Sequence, residues 1–168
     1  QWLRLQYFCR TLHLPLVGER AETSRRLVTE HGFVQLMANE TWGQGLLLAQ
    51  QGQLQEGITQ MQQGWAAYRA TGANVRQPMY LASLAEAYGQ AGQPEEGLRV
   101  IDEAFAVVSR TGELAWEAEL WRVKGELLLG QSDPSVHAAE ECLCEALKIA
   151  QDQHAHMLST AMLINGLP

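Results

Sequence analysis

Apolar positions along this chain fall at three- and four-residue intervals, and the whole arrangement recurs after 40 residues. Between Pro78 and Ala91, Leu81, Leu84, Ala85 and Tyr88 mark one face of a helix. Gly92 and Gln93-Pro94 interrupt that face. Glycine suits the left-handed position that ends a helix, and proline suits the first turn of the next. Glu95 and Glu96 follow, where negative charge complements the helix dipole. Gly97, Ile101, Ala104 and Val108 then form a second stripe, closed by Thr111-Gly112. The pattern predicts a helical hairpin over about residues 78–112.

The neighbouring segments repeat this plan. One period earlier, Gly45 and Leu48 precede Gly57, Met61 and Gly64, predicting a hairpin over about 38–72. One period later, Trp121, Gly125 and Leu128 precede Ala139, Leu143 and Ala146, predicting a hairpin over about 115–152. Its turn, Gly130 to Pro134, is followed by a two-residue insertion. Glycine recurs at 32, 72 and 112, and again at 52 and 92. A fixed period of this size signals stacked supersecondary units, none able to bury its apolar face alone. Toward the ends, Leu5, Phe8, Cys9 and Leu12, then Gly18 to Glu30, predict a divergent hairpin over about 2–32 with Pro15 in its turn. Residues 154–164 predict a closing helix, stopped by Asn165-Gly166. The terminal helices are expected to cap apolar surface.

Small residues recur at matched places for a packing reason. Gly45, Ala85 and Gly125 on the first helices can face Gly57, Gly97 and Ala139 on the second. Little or no side chain on either side lets two backbones approach closely. Interior glycine costs about 0.5–1 kcal/mol relative to alanine, so close helix contact is the simplest reason for it.

Trp121-x-x-Lys124-Gly125-x-x-Leu128 and Leu81-x-x-Leu84-Ala85-x-x-Tyr88, each followed by a small–large–small stripe, resemble the tetratricopeptide repeat. The unit is longer than that family's usual one, and Thr-Gly replaces the proline that ordinarily closes the second helix. More narrowly, Gln51 to Ile58, Trp65 to Gly72, Leu84 to Tyr88 and Lys124 to Leu129 resemble the C-terminal helical repeats of large bacterial ATPase regulators, of the maltose-regulator and adenylate-cyclase-associated kind. That match covers about residues 20 to 152. The resemblance implies an all-α fold: a right-handed α–α superhelix of tetratricopeptide-like hairpins, about seven helices in one domain over residues 1–168. The start at Gln1, without an initiating Met, is read as a fragment of a longer polypeptide.

Charge and composition remove several alternatives. Twelve basic against nineteen acidic residues leave a formal charge of −7, which lacks the basic excess needed to displace counterions from nucleic acid. No apolar run reaches the roughly 20 residues needed to span a bilayer. The start has neither a basic n-region nor an apolar stretch to read as a signal peptide. Cys9, Cys142 and Cys144 have no framework spacing and read as thiols in a reducing cytoplasm. His154 and His156 stand two apart, on different helix faces, where a helical metal site needs three or four. His13, His31 and His137 are isolated near predicted turns. Gly43-Gln-Gly45 lies in a helical pattern with no preceding strand, unlike a phosphate loop. The paired carboxylates Glu95-Glu96 and Glu140-Glu141 lie in early turns of second helices and are explained by the dipole. The expectation is no enzyme, no cofactor and no metal.

In tetratricopeptide arrays the first helices line a concave groove. The resemblance therefore places Asn39, Trp42, Leu46 and Gln50 there, then Met79, Ala82, Glu86 and Gln90, then Glu119, Arg122 and Glu126. Such a row suits an amphipathic helix or extended peptide with an apolar anchor and a basic group. Trp42 and Leu46 also read as packing against an adjacent unit, the commoner role for Trp and Leu at helical spacing, and Glu86 and Glu126 equally as pairs with a neighbouring helix. The expected function is a protein- or peptide-binding module, the sensor or docking region of a bacterial signalling or transcriptional ATPase regulator, with domains of its own parent chain among the candidate partners. The alternative is a homodimerising scaffold, suggested by Trp2, Leu3, Met157 and Met162 near the ends.

Overall fold

The computed structural model describes residues 34–73 and 75–164, with side chains placed through residue 154. The expected hairpin over about 2–32 lies outside the described residues, as do Cys9, His13 and His31. Among the described residues every regular element is helical and none is a strand. The elements are α1 (Val34–Gln50), α2 (Leu54–Ala70), α3 (Gln77–Gln90), α4 (Pro94–Thr111), a 3₁₀ turn η1 (Leu114–Trp116), α5 (Glu117–Leu129) and α6 (Val136–Ile164). The three expected hairpins thus appear as α1–α2, α3–α4 and α5–α6.

The chain divides into two compact units, Gln1–Val75 and Arg76–Pro168, where the repeat pattern alone suggests one uninterrupted domain. The division falls in the loop between α2 and α3, beside Arg76, whose φ of 64° is the one positive value among described non-glycine residues.

In the first unit α1 packs along α2. The helix ends because Gly52 takes φ 86°. Its N–H donates to the Ala49 carbonyl (3.0 Å) and that of Gln53 to the Leu48 carbonyl (3.0 Å), the paired bonds that close a helix C-terminus. Ile58, Met61, Trp65 and Tyr68 supply the buried side of α2. A Cβ on Gly45 would lie 2.6 Å from the Gly57 carbonyl oxygen, and one on Gly64 2.7 Å from the Trp42 Cβ. The two backbones touch where side chains are missing, as the sequence pattern predicts.

The second unit repeats that turn 40 residues on. Gly92, with φ 71°, donates to Gly89 (3.0 Å), and Gln93 donates to Tyr88 (2.9 Å). The hairpin closures repeat as well. The Ala73 and Glu113 N–H groups each donate to a threonine hydroxyl two residues back, Thr71 or Thr111, at 3.3 Å. Gly72 and Gly112 sit beside them in the left-handed region. Threonine and glycine therefore stand at both ends with this bond in common, although Gly72 donates to Arg69 and Gly112 to Val108. The turn before α6 departs from the pattern: Gly130 caps α5 with the φ of −80° that Ala91 has at the end of α3, but no positive-φ glycine follows it.

Helix α5 packs on α6 and also on both α3 and α4. Leu127 is the wedge: a Cβ on Gly89 or Gly97 would lie 2.8 or 2.6 Å from its Cδ2. The expected small-residue pairs recur, with a Gly97 Cβ 3.0 Å from the Ala85 carbonyl and a Gly125 Cβ 3.1 Å from that of Ala139. Leu81, Ile101, Ala104, Leu120 and Val123 form the centre of this core.

One boundary needs correction. The sequence pattern divides residues 115–152 from a closing helix at 154–164, whereas α6 runs unbroken from Val136 to Ile164. No glycine or proline lies between Gln151 and His154 to stop it. Gln153 also ties the helix to η1, its Nε2 donating to the Leu114 carbonyl at 2.9 Å.

Candidate functional site

Four residues of the row expected on α3 and α5, Glu86, Glu119, Arg122 and Glu126, come together around one cation. Arg122 is half-buried, and its guanidinium donates to both oxygens of Glu119, Nε at 2.9 Å and Nη2 at 2.7 Å. It also bonds Glu126, one turn on, and lies 3.7 Å from Glu86 on α3. The residues sit at 119, 122 and 126, so one face of α5 carries all three, and the α3–α5 packing delivers the fourth. The Glu119 hydrogen bond, opposed by burial and supported by Glu119 and Glu126 charge, raises the Arg122 pKa well above its ordinary value. Three carboxylates thus surround one guanidinium. Glu119 is mostly covered, its side chain 10 % exposed, while Glu126 is 53 % exposed and faces solvent.

The remaining row residues behave differently. Met79 is half-buried and Gln90 exposed on α3. Ala82 is only 4 % exposed and does not face an open surface. The reason is that α3 is covered almost all round, with Tyr80, Leu81, Leu84, Ala85, Ala87 and Tyr88 also buried. On α1, Gln50 is exposed while Asn39 and Leu46 are half-buried. Trp42 sits with its backbone and Cβ against Gly64 of α2, and its indole nitrogen is buried. It belongs to the α1–α2 seam within its own hairpin, rather than to a contact with an adjacent unit.

Two arrangements on the second unit were not singled out from sequence. Phe105 and Trp121 meet with ring centroids 4.7 Å apart, joining α4 to α5. Lys124 lies over both rings, 5.5 and 5.8 Å from their centroids, and reaches Asp102 at 3.3 Å. The second is Glu113, whose two carboxylate oxygens each accept from the Arg76 N–H at 3.2 Å. One of them also accepts from the Trp116 indole at 3.1 Å. A lone acid between two hairpins gives no periodic signal, so only the folded chain shows its role.

No family model and no solved structure matches this chain. It is similar to an uncharacterised protein of Rhizobium meliloti (strain 1021), 32 % identical over 106 residues. That stretch is 63 % of this chain and 10 % of the relative, so the chain spans about a tenth of the length of the curated protein it matches. Among the described residues no helix is long and apolar enough to cross a membrane.

Proposed function

We propose that this chain is a protein- or peptide-binding module built from tetratricopeptide-like hairpins, arranged as a right-handed α–α superhelix. The recurring turns at Gly52 and Gly92, and the packing of α5 on both helices of the preceding hairpin, support the repeat reading. The observation that carries the binding reading is the Glu86–Glu119–Arg122–Glu126 cluster on the α3–α5 face. Exposed Glu126, at the rim of this cluster, favours a partner segment bearing Lys or Arg and is its first point of contact. Met79 and Gln90 on α3 offer the same segment an apolar and an amide contact.

The module would work in the cytoplasm as the sensor or docking region of a bacterial signalling ATPase regulator. Its ligand would shift the parent's balance of states by its difference in affinity for them. A displayed library of random peptides panned on the chain tests the reading. Enriched sequences should pair a basic residue with an apolar anchor, and Glu126→Lys should weaken them at least tenfold with unchanged helicity. No enrichment, or enriched peptides indifferent to Glu126→Lys, would remove the proposal. The homodimer alternative rests on Trp2, Leu3, Met157 and Met162, whose side chains lie outside those described.

A further inference from the structure

The two hairpins of the second unit can be superposed by sequence, 40 residues apart on their first helices and 42 on their second. Phe105 of α4 then corresponds to Leu147 of α6, and Gly89 of α3 to Leu129 of α5. In the earlier hairpin both places are covered by α5: Trp121 lies on Phe105, and Leu127 fills the gap above Gly89. In the later hairpin the same places are open, Leu147 being 64 % and Leu129 44 % exposed. Because α6 continues unbroken through 154–164, that segment does not form a separate closing helix over them. The exposed leucines therefore continue, one period on, an interface already formed inside the unit.

We propose that this end face is a docking site for the first helix of a further hairpin of the same repeat, seated as α5 is seated on α3 and α4. The face specifies that helix closely. A large apolar or aromatic residue takes the place of Trp121 and covers Leu147. A basic residue next to it takes the place of Arg122, which reaches back to Glu86 at 3.7 Å, and here meets exposed Glu126, the same position one period later. The residue six positions after the aromatic is small. Leu127 enters its site only because Gly89 and Gly97 lack side chains, and their counterparts Leu129 and Ala139 occupy that space. The expected helix thus reads aromatic–basic–four residues–Ala or Gly. The covering helix belongs to this periodic scheme whether or not the α3–α5 face binds a peptide. The test accordingly turns on Leu147, which the peptide-binding proposal does not use.

A fluorescent, helix-stapled peptide of residues 113–130 carrying Leu127→Ala is the probe, titrated into the 168-residue chain by anisotropy. Saturable binding is expected, severalfold weaker for the peptide retaining Leu127, and at least tenfold weaker when the chain carries Leu147→Glu. Leu147 is a surface residue, so circular dichroism should show that variant as helical as its parent. Absence of saturable binding overturns the proposal. So does binding indifferent to Leu147→Glu, which would mean that the peptide merely displaces α5 from its own place. Sedimentation showing that the chain alone pairs through Leu147 overturns it too, since the occupant would then be a second copy.

Discussion

Gly45 and Gly57 face each other across the α1–α2 seam so closely that a Cβ on either would fall within 2.7 Å of the other's carbonyl oxygen. Backbone, unlike the end of a flexible side chain, cannot move aside. Gly45→Ala is therefore expected to cost about 3 kcal/mol by overpacking. Gly43 lies in the same helix with nothing within 4 Å of its would-be Cβ. Gly43→Ala should stabilise by roughly 0.5–1 kcal/mol through helix propensity. Urea denaturation of the pair checks both signs, and equal effects would deny the close approach.

Arg122 holds together three carboxylates from two helices, and its partner Glu119 is largely covered. Arg122→Ala should destabilise by about 2 kcal/mol, between the values for surface and buried pairs. Arg122→Lys should restore less than half, because an ammonium cannot donate to both Glu119 oxygens from a planar fork. Its raised pKa sets the pH behaviour. A cation whose pKa rises on folding contributes fully below its ordinary value and loses that contribution only above it. Titration of Arg122 itself should therefore leave the stability difference unchanged up to strongly alkaline pH.

How far the sequence discloses all this depends on whether a feature repeats. The pairing of Gly45, Ala85 and Gly125 with Gly57, Gly97 and Ala139 is legible because a helical contact needing little bulk recurs in each unit. The Thr-Gly closures at 71–72 and 111–112 are legible for the same reason, since both hold the next N–H but one on the threonine hydroxyl. Ala82 misleads because α3 is covered on nearly every side, so no single stripe defines its free face. Trp42 misleads because periodicity assigns a residue to a helix face without saying which neighbour lies there. Of the proposed site, the acidic residues and Arg122 were legible as a row, but their convergence depends on how α3 and α5 pack.

Arg76 adopts φ 64° immediately before α3, held there by two hydrogen bonds from its N–H to Glu113. The left-handed region costs a side-chain-bearing residue about 1 kcal/mol, and glycine escapes most of that. Arg76→Gly should keep the Glu113 bonds and stabilise the chain by about 0.5–1 kcal/mol. Glu113→Ala should destabilise it by about 1–2 kcal/mol, because the Arg76 N–H and the Trp116 indole lose their acceptor together. Thermal melts of the two variants should move in opposite directions; a destabilised Arg76→Gly would show that the side chain, not the backbone conformation, matters there.

Cys142 and Cys144 lie two residues apart on α6, yet Cys142 is 6 % exposed and Cys144 faces solvent. Burial raises the Cys142 pKa, with the nearby charge of Lys124 opposing the rise. Reaction with iodoacetamide follows thiolate content and access, so at mildly alkaline pH Cys144 should label at least about tenfold faster. Peptide mapping by mass spectrometry after timed quenching separates the two sites. The same shift links to stability. Above the ordinary thiol value of about 8.5 the unfolded chain sheds the Cys142 proton while the folded chain keeps it. That group's contribution should therefore fall as pH rises beyond this point, and Cys142→Ala should abolish the component of alkaline destabilisation it causes. Equal labelling of the two thiols in the folded chain would mean that the α5–α6 seam opens readily at this level of the helix.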